Sequence, residues 1–310
     1  MSALICGSIA YDTIMVFQDQ FKNHILPEKV HRLNVSFLVP EMRQEFGGCA
    51  VNIAFNMKLL GADALPMGTV GKDFARYSKW MDDHGIVRRH VSVMKDHFTA
   101  QAFITTDLDD NQIVAFHPGA MNHSHLNNVD DADDVSIGIV SPDGRDGMLQ
   151  HAEQFSEASI PFIFDPGQGL PLFDGAVLRN FIDQASYVTV NDYEWELLCD
   201  KTGYAIKDVT SKVDALIITL GGKGSVIHTG GKEIEIPVAT AREMVDPTGC
   251  GDAYRAGLLY GLSNNMDWDT TGRIASLMGT FTIEHGGTQN HAFDLAEFNA
   301  RFKESFGYEL

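Results

Sequence analysis

Short runs of apolar residues alternate with longer amphipathic segments through most of the second half of the chain. Four runs lie at residues 135–140, 160–165, 186–191 and 215–221, and a similar run, 3–8, lies near the amino terminus. A strand that is buried on both faces is apolar at nearly every position, and a helix usually connects it to the next parallel strand. The pattern therefore predicts an α/β fold in which a mostly parallel sheet lies between layers of helices.

Two segments depart from this alternation of strands and helices. They span about residues 11–43 and 97–118, and the second alternates apolar and polar residues on both sides of a turn at 107–111. Such alternation predicts a hairpin. We expect the two segments to form a small β-sheet lid over the ends of the main strands. Because no linker or internal repeat divides the sequence, we predict a single domain at residues 1–310.

The charge of the chain restricts its partners. The sequence has 42 acidic and 23 basic side chains and a formal net charge of −19. Nucleic acids and anionic membranes are held by clustered Lys and Arg, so neither is expected as a partner. Because the sequence has no long apolar run and no basic, apolar leader, we expect a cytoplasmic protein. Its four cysteines are too dispersed to predict a disulfide framework or a zinc site.

The segment VDPTGCGDAYRAG, residues 245–257, is the strongest candidate for chemistry. Gly249 and Gly251 permit close approach of the backbone to a ligand, and a helix is predicted to follow them. Amide groups at the start of a helix carry the positive end of its dipole and suit an anion. Asp252 at this position could take a proton from a hydroxyl group. The same residues, taken alone, also describe a capping aspartate on a glycine turn.

Five segments, in order along the chain, resemble the signatures of the ribokinase-like (PfkB) family of carbohydrate and nucleoside kinases. Residues 248–257 resemble the C-terminal signature of that family, and residues 47–54 (GGCAVNIA) resemble its N-terminal signature. The other three segments are GTVGKD at 68–73, NDYE at 191–194 and TLGGKG at 219–224. The resemblance covers most of the chain and implies a ribokinase-like three-layer α/β/α fold with a β-sheet lid.

The resemblance implies that the protein is an ATP-dependent kinase and gives roles to the residues of the C-terminal signature. Asp252 would be the general base that deprotonates the acceptor hydroxyl. The amides of Gly249, Cys250 and Gly251 would form the anion hole for the transferred phosphoryl group, as phosphoryl transfer requires. Arg255 departs from the small polar residue that is usual at its position, and it either binds phosphate or pairs with a neighbour.

The resemblance also implies a nucleotide site. Asn191 and Glu194 would organise Mg²⁺, with Glu194 acting through water, although the two residues also describe an ordinary capped helix start. Thr219, Gly221 and Gly224 would lie against ATP, or would simply form a turn between two strands. K⁺ is left open as a further cofactor.

On the acceptor side, the resemblance implies that Asp12 accepts hydrogen bonds from sugar hydroxyls in a pocket completed by Gly47, Gly48 and Asn52. A carboxylate that faces a diol is selective, because loss of either hydroxyl leaves a buried acceptor unpaired.

The identity of the acceptor depends on the lid. Cys49 follows the Gly-Gly pair where related sugar kinases carry a polar residue, and the lid resembles that of bacterial adenosine kinases. Phe103 and Phe116 are therefore predicted to cover a purine, and the expected reaction converts adenosine to AMP at its 5′-hydroxyl. Both rings would also suit the apolar face of a hairpin. A sugar kinase, another nucleoside kinase and a non-catalytic nucleoside-binding protein remain alternatives, and a homodimer through the lid edges is left open.

Overall fold

The computed structural model describes residues 2–25, 31–32, 34–109 and 111–310. Residues 26–30 and 33, which belong to the predicted lid segment 11–43, lie outside the described residues. Asp110, in the predicted hairpin turn, lies outside them as well.

Thirteen strands and nine α-helices are found in the described part of the chain. The strands are β1 (Ser2–Cys6), β2 (Ala10–Val16), β3 (Glu41–Gly47), β4 (Ala64–Gly71), β5 (His90–Met94), β6 (Ala100–Thr106), β7 (Gln112–His117), β8 (Val135–Val140), β9 (Phe162–Phe164), β10 (Tyr187–Asn191), β11 (Ala215–Thr219), β12 (Ser225–Thr229) and β13 (Lys232–Ile236). The helices are α1 (Cys49–Leu59), α2 (Ala75–Asp83), α3 (Arg145–Glu157), α4 (Gly175–Gln184), α5 (Asp192–Thr202), α6 (Ile206–Thr210), α7 (Cys250–Ser263), α8 (Trp268–Ile283) and α9 (Leu295–Phe306).

Nine strands form the main sheet, in the order β13-β12-β11-β10-β9-β8-β1-β4-β5. All neighbours from β11 to β5 are parallel, and only the pairs that β12 makes with β11 and β13 are antiparallel. The predicted run at 135–140 coincides with β8, and the other four runs each overlap one strand of this sheet. The mostly parallel sheet predicted from the apolar runs is confirmed.

Both faces of the main sheet are buried, as the apolar runs require. In β1, Ala3 and Ile5 pack into one apolar core, whereas Leu4 and Cys6 pack into another. Residues of α1, α2, α7 and α8 cover the first core, and residues of α3, α4, α5 and α6 cover the second. Because successive side chains of a strand point to opposite faces, this division places helices on both sides of the sheet. The three-layer α/β/α arrangement is confirmed.

The remaining four strands form the lid sheet, in the order β3-β2-β6-β7. Strands β6 and β7 are the predicted antiparallel hairpin, while β2 and β6 are parallel neighbours and join the two lid segments. The first segment extends to Gly47 at the end of β3, four residues beyond the predicted limit of 43. Strand β7 is exposed at every residue along the outer edge. Pairing of this edge with a second copy of the chain stays a prediction.

Among the residues described, no helix combines the length and the apolar character that crossing a bilayer requires. The cytoplasmic location expected from the sequence stays a prediction.

Candidate active site

The predicted nucleotide-side residues gather at the edge where the parallel strands end. Asn191 is the last residue of β10 and Thr219 is the last residue of β11, and the two are paired in register. Asp165 directly follows the neighbouring strand β9. Parallel strands of one sheet end at the same edge, which is where ligands of open α/β sheets bind.

Helix α7 begins at this edge with free amide groups. Gly249 adopts a left-handed conformation, with φ of 83°, and the helix continues from Cys250. Within the described residues, the amides of Gly249 and Gly251 have no hydrogen-bond partner, whereas the Cys250 amide donates to the Pro247 carbonyl at 3.2 Å. Two of the three predicted anion-hole amides are therefore available to an anion at the positive end of the helix dipole.

Asp252 lies in the first turn of α7 and contacts a residue of the predicted sugar site. Its Oδ2 accepts a hydrogen bond of 2.7 Å from the Asn52 side-chain amide. Burial raises the pKa of Asp252 to about 6, and the hydrogen bond from Asn52 opposes that rise. A carboxylate with this pKa is a stronger base than an ordinary aspartate and is still ionised at neutral pH. The environment of Asp252 therefore suits general-base catalysis.

Asp12 lies in β2 of the lid, next to the Gly-Gly pair. A Cβ atom on Gly47 would lie 2.3 Å from the Asp12 carboxylate, so only glycine leaves room for this side chain. Gly48 has φ of 91°, and a Cβ atom on it would lie 2.6 Å from the Ala10 amide. Burial and the charge of Glu45 raise the pKa of Asp12 to about 6. The two glycines thus allow the lid strand to bring a half-buried carboxylate against the start of α1.

The register of the lid separates the two predicted aromatic residues. Asp12 is paired with Ala102, and Ala102 with Phe116, so Asp12 and Phe116 share one face of the sheet. Phe103 is paired with Thr13, the residue after Asp12, and therefore points to the opposite face. The structure brings Phe116, but not Phe103, to the face that carries Asp12.

Arg255 pairs with a carboxylate that the sequence analysis did not single out. Its guanidinium donates to both oxygens of Asp165, at 3.0 and 2.9 Å, and its Nη2 lies 4.0 Å from Glu194 Oε2. Arg255 and Asp165 are both buried. Of the two interpretations left open for Arg255, pairing with a neighbour is the one observed. The position of Asp165 at the end of the apolar run 160–165 was the signal that could have identified it.

Asn191 and Glu194 form a reciprocal cap at the start of α5. The Asn191 side chain accepts from the Glu194 amide at 2.7 Å, and Glu194 Oε2 accepts from the Asn191 amide at 2.8 Å. Burial and the charge of Asp165 raise the pKa of Glu194, and Arg255 opposes that rise. Glu194 Oε1 has no partner within the described residues. A half-buried carboxylate with one free oxygen fits a hydrated Mg²⁺, which keeps most of its water ligands.

A cavity of about 370 Å³ lies beside the predicted nucleotide segment and is lined by Leu220 and Lys223, among others. Thr219 is the residue before Leu220, and its hydroxyl donates to the Val190 carbonyl at 3.4 Å. Gly221 lies at the start of a short 3-10 turn, and a Cβ atom there would meet no neighbour. Gly224, in contrast, packs against a backbone carbonyl of β13. The observed contacts of Gly224 are therefore those of a tight strand connection.

Comparison with known proteins places these features in a family. A family profile described as pfkB family carbohydrate kinase matches residues 10–294. The nucleoside kinase of Methanocaldococcus jannaschii is 33% identical over 85% of this chain and 87% of its own length. The solved structure of Burkholderia thailandensis nucleoside kinase in complex with inosine has a TM-score of 0.91 and 54% identity, over 99% of each chain.

Proposed function

Because the chain belongs to the pfkB family of carbohydrate kinases, we propose that it transfers the γ-phosphoryl group of ATP to the 5′-hydroxyl of a purine nucleoside. The observation that carries this proposal is the contact between Asn52 and Asp252 beside the free amides of α7. Two relatives of the chain are nucleoside kinases, and one of them was solved with inosine bound. Adenosine, which would give AMP, is the acceptor predicted from the sequence.

The reaction follows from the positions of Asp252 and the α7 amides. Asp252 accepts the proton of the acceptor hydroxyl while that oxygen forms a bond to the γ-phosphorus and the bond to the ADP oxygen breaks. The amides of Gly249 and Gly251 stabilise the negative charge on the transferred phosphoryl group. Phosphoryl transfer needs positioning and charge stabilisation more than covalent chemistry, and these groups supply a base and an anion hole for it.

Two carboxylates near the site bear on metal binding. Glu194 would hold Mg²⁺ through water, and the ion would neutralise charge on the phosphates of ATP. The family resemblance would give Asp246 to a K⁺ site, but its two oxygens accept hydrogen bonds from the amides of Thr248 at 2.9 Å and Gly287 at 3.0 Å. The carboxylate thus serves to join two loops, and no step of the reaction is assigned to a monovalent cation.

The acceptor preference can be tested by measuring ADP formation from ATP with adenosine, inosine, ribose and fructose. We expect kcat/KM for the two nucleosides to exceed that for the sugars by about 10²-fold or more, since the free sugars lack the base that Phe116 would contact. Chromatography should identify the nucleoside 5′-monophosphates as products.

The other outcomes of this experiment point to defined alternatives. Faster turnover of ribose or fructose would make the protein a sugar kinase of the same family. Saturable binding of adenosine without turnover of any acceptor would make it a nucleoside-binding protein.

The different faces of Phe103 and Phe116 provide a matched pair of lid variants. We expect Phe116→Ala to raise KM for the nucleoside about tenfold, because an aromatic contact contributes about 0.5–1.5 kcal/mol beyond the area that it buries. Phe103→Ala should leave this KM nearly unchanged, because its ring points away from Asp12. Initial rates at saturating ATP would measure both values. Equal losses in the two variants would remove Phe116 from the acceptor site.

A further inference from the structure

Four side chains from distant parts of the chain form a hydrogen-bonded relay that ends on Asp252. Trp80 Nε1 donates to Gln289 Oε1 at 2.8 Å, and Gln289 Nε2 donates to Asn52 Oδ1 at 2.7 Å. Asn52 Nδ2 then donates to Asp252 Oδ2 at 2.7 Å. The relay joins α2, the segment after α8, α1 and α7.

The chemistry of the first group determines the direction of the whole relay. The indole N–H of Trp80 can only donate, so Gln289 must turn its oxygen toward Trp80 and its amino group toward Asn52. Asn52 must then accept with its oxygen, which leaves its amino group facing Asp252. The reverse orientation of Asn52 would place a carbonyl oxygen against a carboxylate, and both would be without a proton to share.

Burial and a second contact of Gln289 prevent the side-chain amides of Asn52 and Gln289 from flipping. Asn52 and Gln289 are each 3% exposed, so bulk water does not offer replacement partners. The Gln289 amino group also donates to the Tyr77 hydroxyl at 2.8 Å, and that hydroxyl donates to the Gly47 carbonyl at 2.9 Å. Both protons of the Gln289 amino group are therefore used, and its oxygen is held by Trp80.

We propose that Gln289, oriented by Trp80, is a positioning residue for phosphoryl transfer: it fixes Asn52 so that its amide always donates to Asp252. This inference rests on the proposed role of Asp252 as the base. The hydrogen bond from Asn52 stabilises the ionised form of the carboxylate and holds it in one orientation. Among the described residues, Gln289 is hydrogen-bonded to Asn52 and not to Asp252, so it acts through Asn52.

The relay also touches the lid. The Phe46 ring of β3 stacks on Trp80, with centroids 5.2 Å apart and planes inclined by 25°. Thr288, next to Gln289, donates its hydroxyl to the Phe46 carbonyl at 2.7 Å. The lid strand therefore packs on Trp80 and is hydrogen-bonded to the residue that precedes Gln289.

Replacing Gln289 by leucine tests the proposal through the pH dependence of kcat/KM. Without Gln289, Asn52 loses the partner that directs its amide, so the pKa of Asp252 should rise. We expect kcat to fall about tenfold and the acidic limb of the profile to move to higher pH by about 0.5–1 unit. Gln289→Glu should move it further, because an ionised Glu accepts from Asn52 and turns the Asn52 carbonyl toward Asp252.

The groups that face Asp252 are unchanged in Gln289→Leu, so the shift in that variant can be assigned to Asn52, whereas Gln289→Glu also adds a negative charge of its own. They are the charged pair of Asp165 and Arg255, the thiols of Cys49 and Cys250, and the phenol of Tyr77. Burial raises the pKa of Tyr77 well above its usual range, so the phenol stays neutral throughout the acidic limb.

Two controls separate positioning from general damage to the fold. Asn127→Leu removes another buried amide, which donates to the Gly68 carbonyl at 2.9 Å, and should lower stability without moving the acidic limb. Adding Gln289→Leu to Asn52→Leu should cause no further shift, because the group through which Gln289 acts is already absent. If Gln289→Leu does not fold, Trp80→Phe tests the same role, because it removes the indole N–H and keeps Gln289. This variant should shift the acidic limb in the same direction by a smaller amount.

The outcomes distinguish this inference from the proposed function. An acidic limb that stays at the wild-type pH in the folded Gln289 and Trp80 variants would overturn the positioning role. Retention of wild-type kcat by an Asp252→Asn variant would instead overturn the role of Asp252 as base, and with it the proposed mechanism.

Discussion

Asp252→Asn is expected to lower kcat by about 10²–10⁴-fold, which is the usual contribution of a positioned general base. An asparagine side chain has nearly the same shape, and its oxygen can still accept the hydrogen bond from Asn52. It cannot accept the proton of the acceptor hydroxyl at neutral pH. Initial-rate kinetics with a saturating nucleoside would measure the loss, and Glu297→Gln, at the equivalent position in the first turn of α9, is the matched control.

The same variant should keep or gain stability. The pKa of Asp252 is raised from 3.8 in the unfolded reference to about 6, so the folded state favours the protonated form. The free energy of unfolding of the wild-type protein therefore falls as the pH rises from 3.8 through about 6. The asparagine variant cannot ionise at this position, so it does not show this decrease. At pH 7 we expect its free energy of unfolding to be higher by about 1–3 kcal/mol. A lower stability would mean that reduced activity reflects unfolding.

Arg255→Leu is expected to cause the largest loss of stability, about 3–5 kcal/mol, because it leaves the Asp165 carboxylate buried without its partner. The side chains of the pair are only 7% and 4% exposed. Activity should also fall, since Arg255 lies between Asp165 and Glu194 at the nucleotide side of the site. Denaturant unfolding at pH 7 would measure the change.

Two comparisons test the reason for this loss. The double variant Arg255→Leu/Asp165→Leu should recover most of the stability, because no uncompensated charge remains in the interior. Removing the exposed pair of Lys79 and Asp83, whose side chains are 74% and 55% exposed, should cost no more than about 1 kcal/mol. A double variant as unstable as the single one would mean that Arg255 stabilises the fold by packing rather than by pairing.

Arg255→Lys is not a conservative change at this position. A single ammonium group cannot donate two parallel hydrogen bonds to the Asp165 carboxylate. It would donate to one oxygen of Asp165 and would leave no cationic group near Glu194. Position 255 therefore requires a guanidinium for geometric as well as electrostatic reasons.

The sequence identified several site residues but assigned some of them to separate parts of the site. Asp252 was predicted as the base and Asn52 as part of the sugar pocket, yet the structure joins them by a hydrogen bond of 2.7 Å. Phe103 and Phe116 were predicted to act together, whereas the register of β6 and β7 places them on opposite faces of the lid. Gln289 carried no signal in the sequence, because an isolated glutamine in a loop has no pattern that predicts its partners.

The order of apolar runs by itself determined the α/β class and five strands of the main sheet, and the resemblance of five motifs to known signatures indicated the kinase family. These patterns extend over a few neighbouring residues, since a strand buried on both faces must be apolar and the first amides of a helix have no partner within the helix. Only the tertiary structure decided that Gln289 lies against Asn52, 237 positions away, and that Arg255 pairs with Asp165, 90 positions away. Such contacts depend on how the sheet, helices and lid pack together, and no local pattern encodes them.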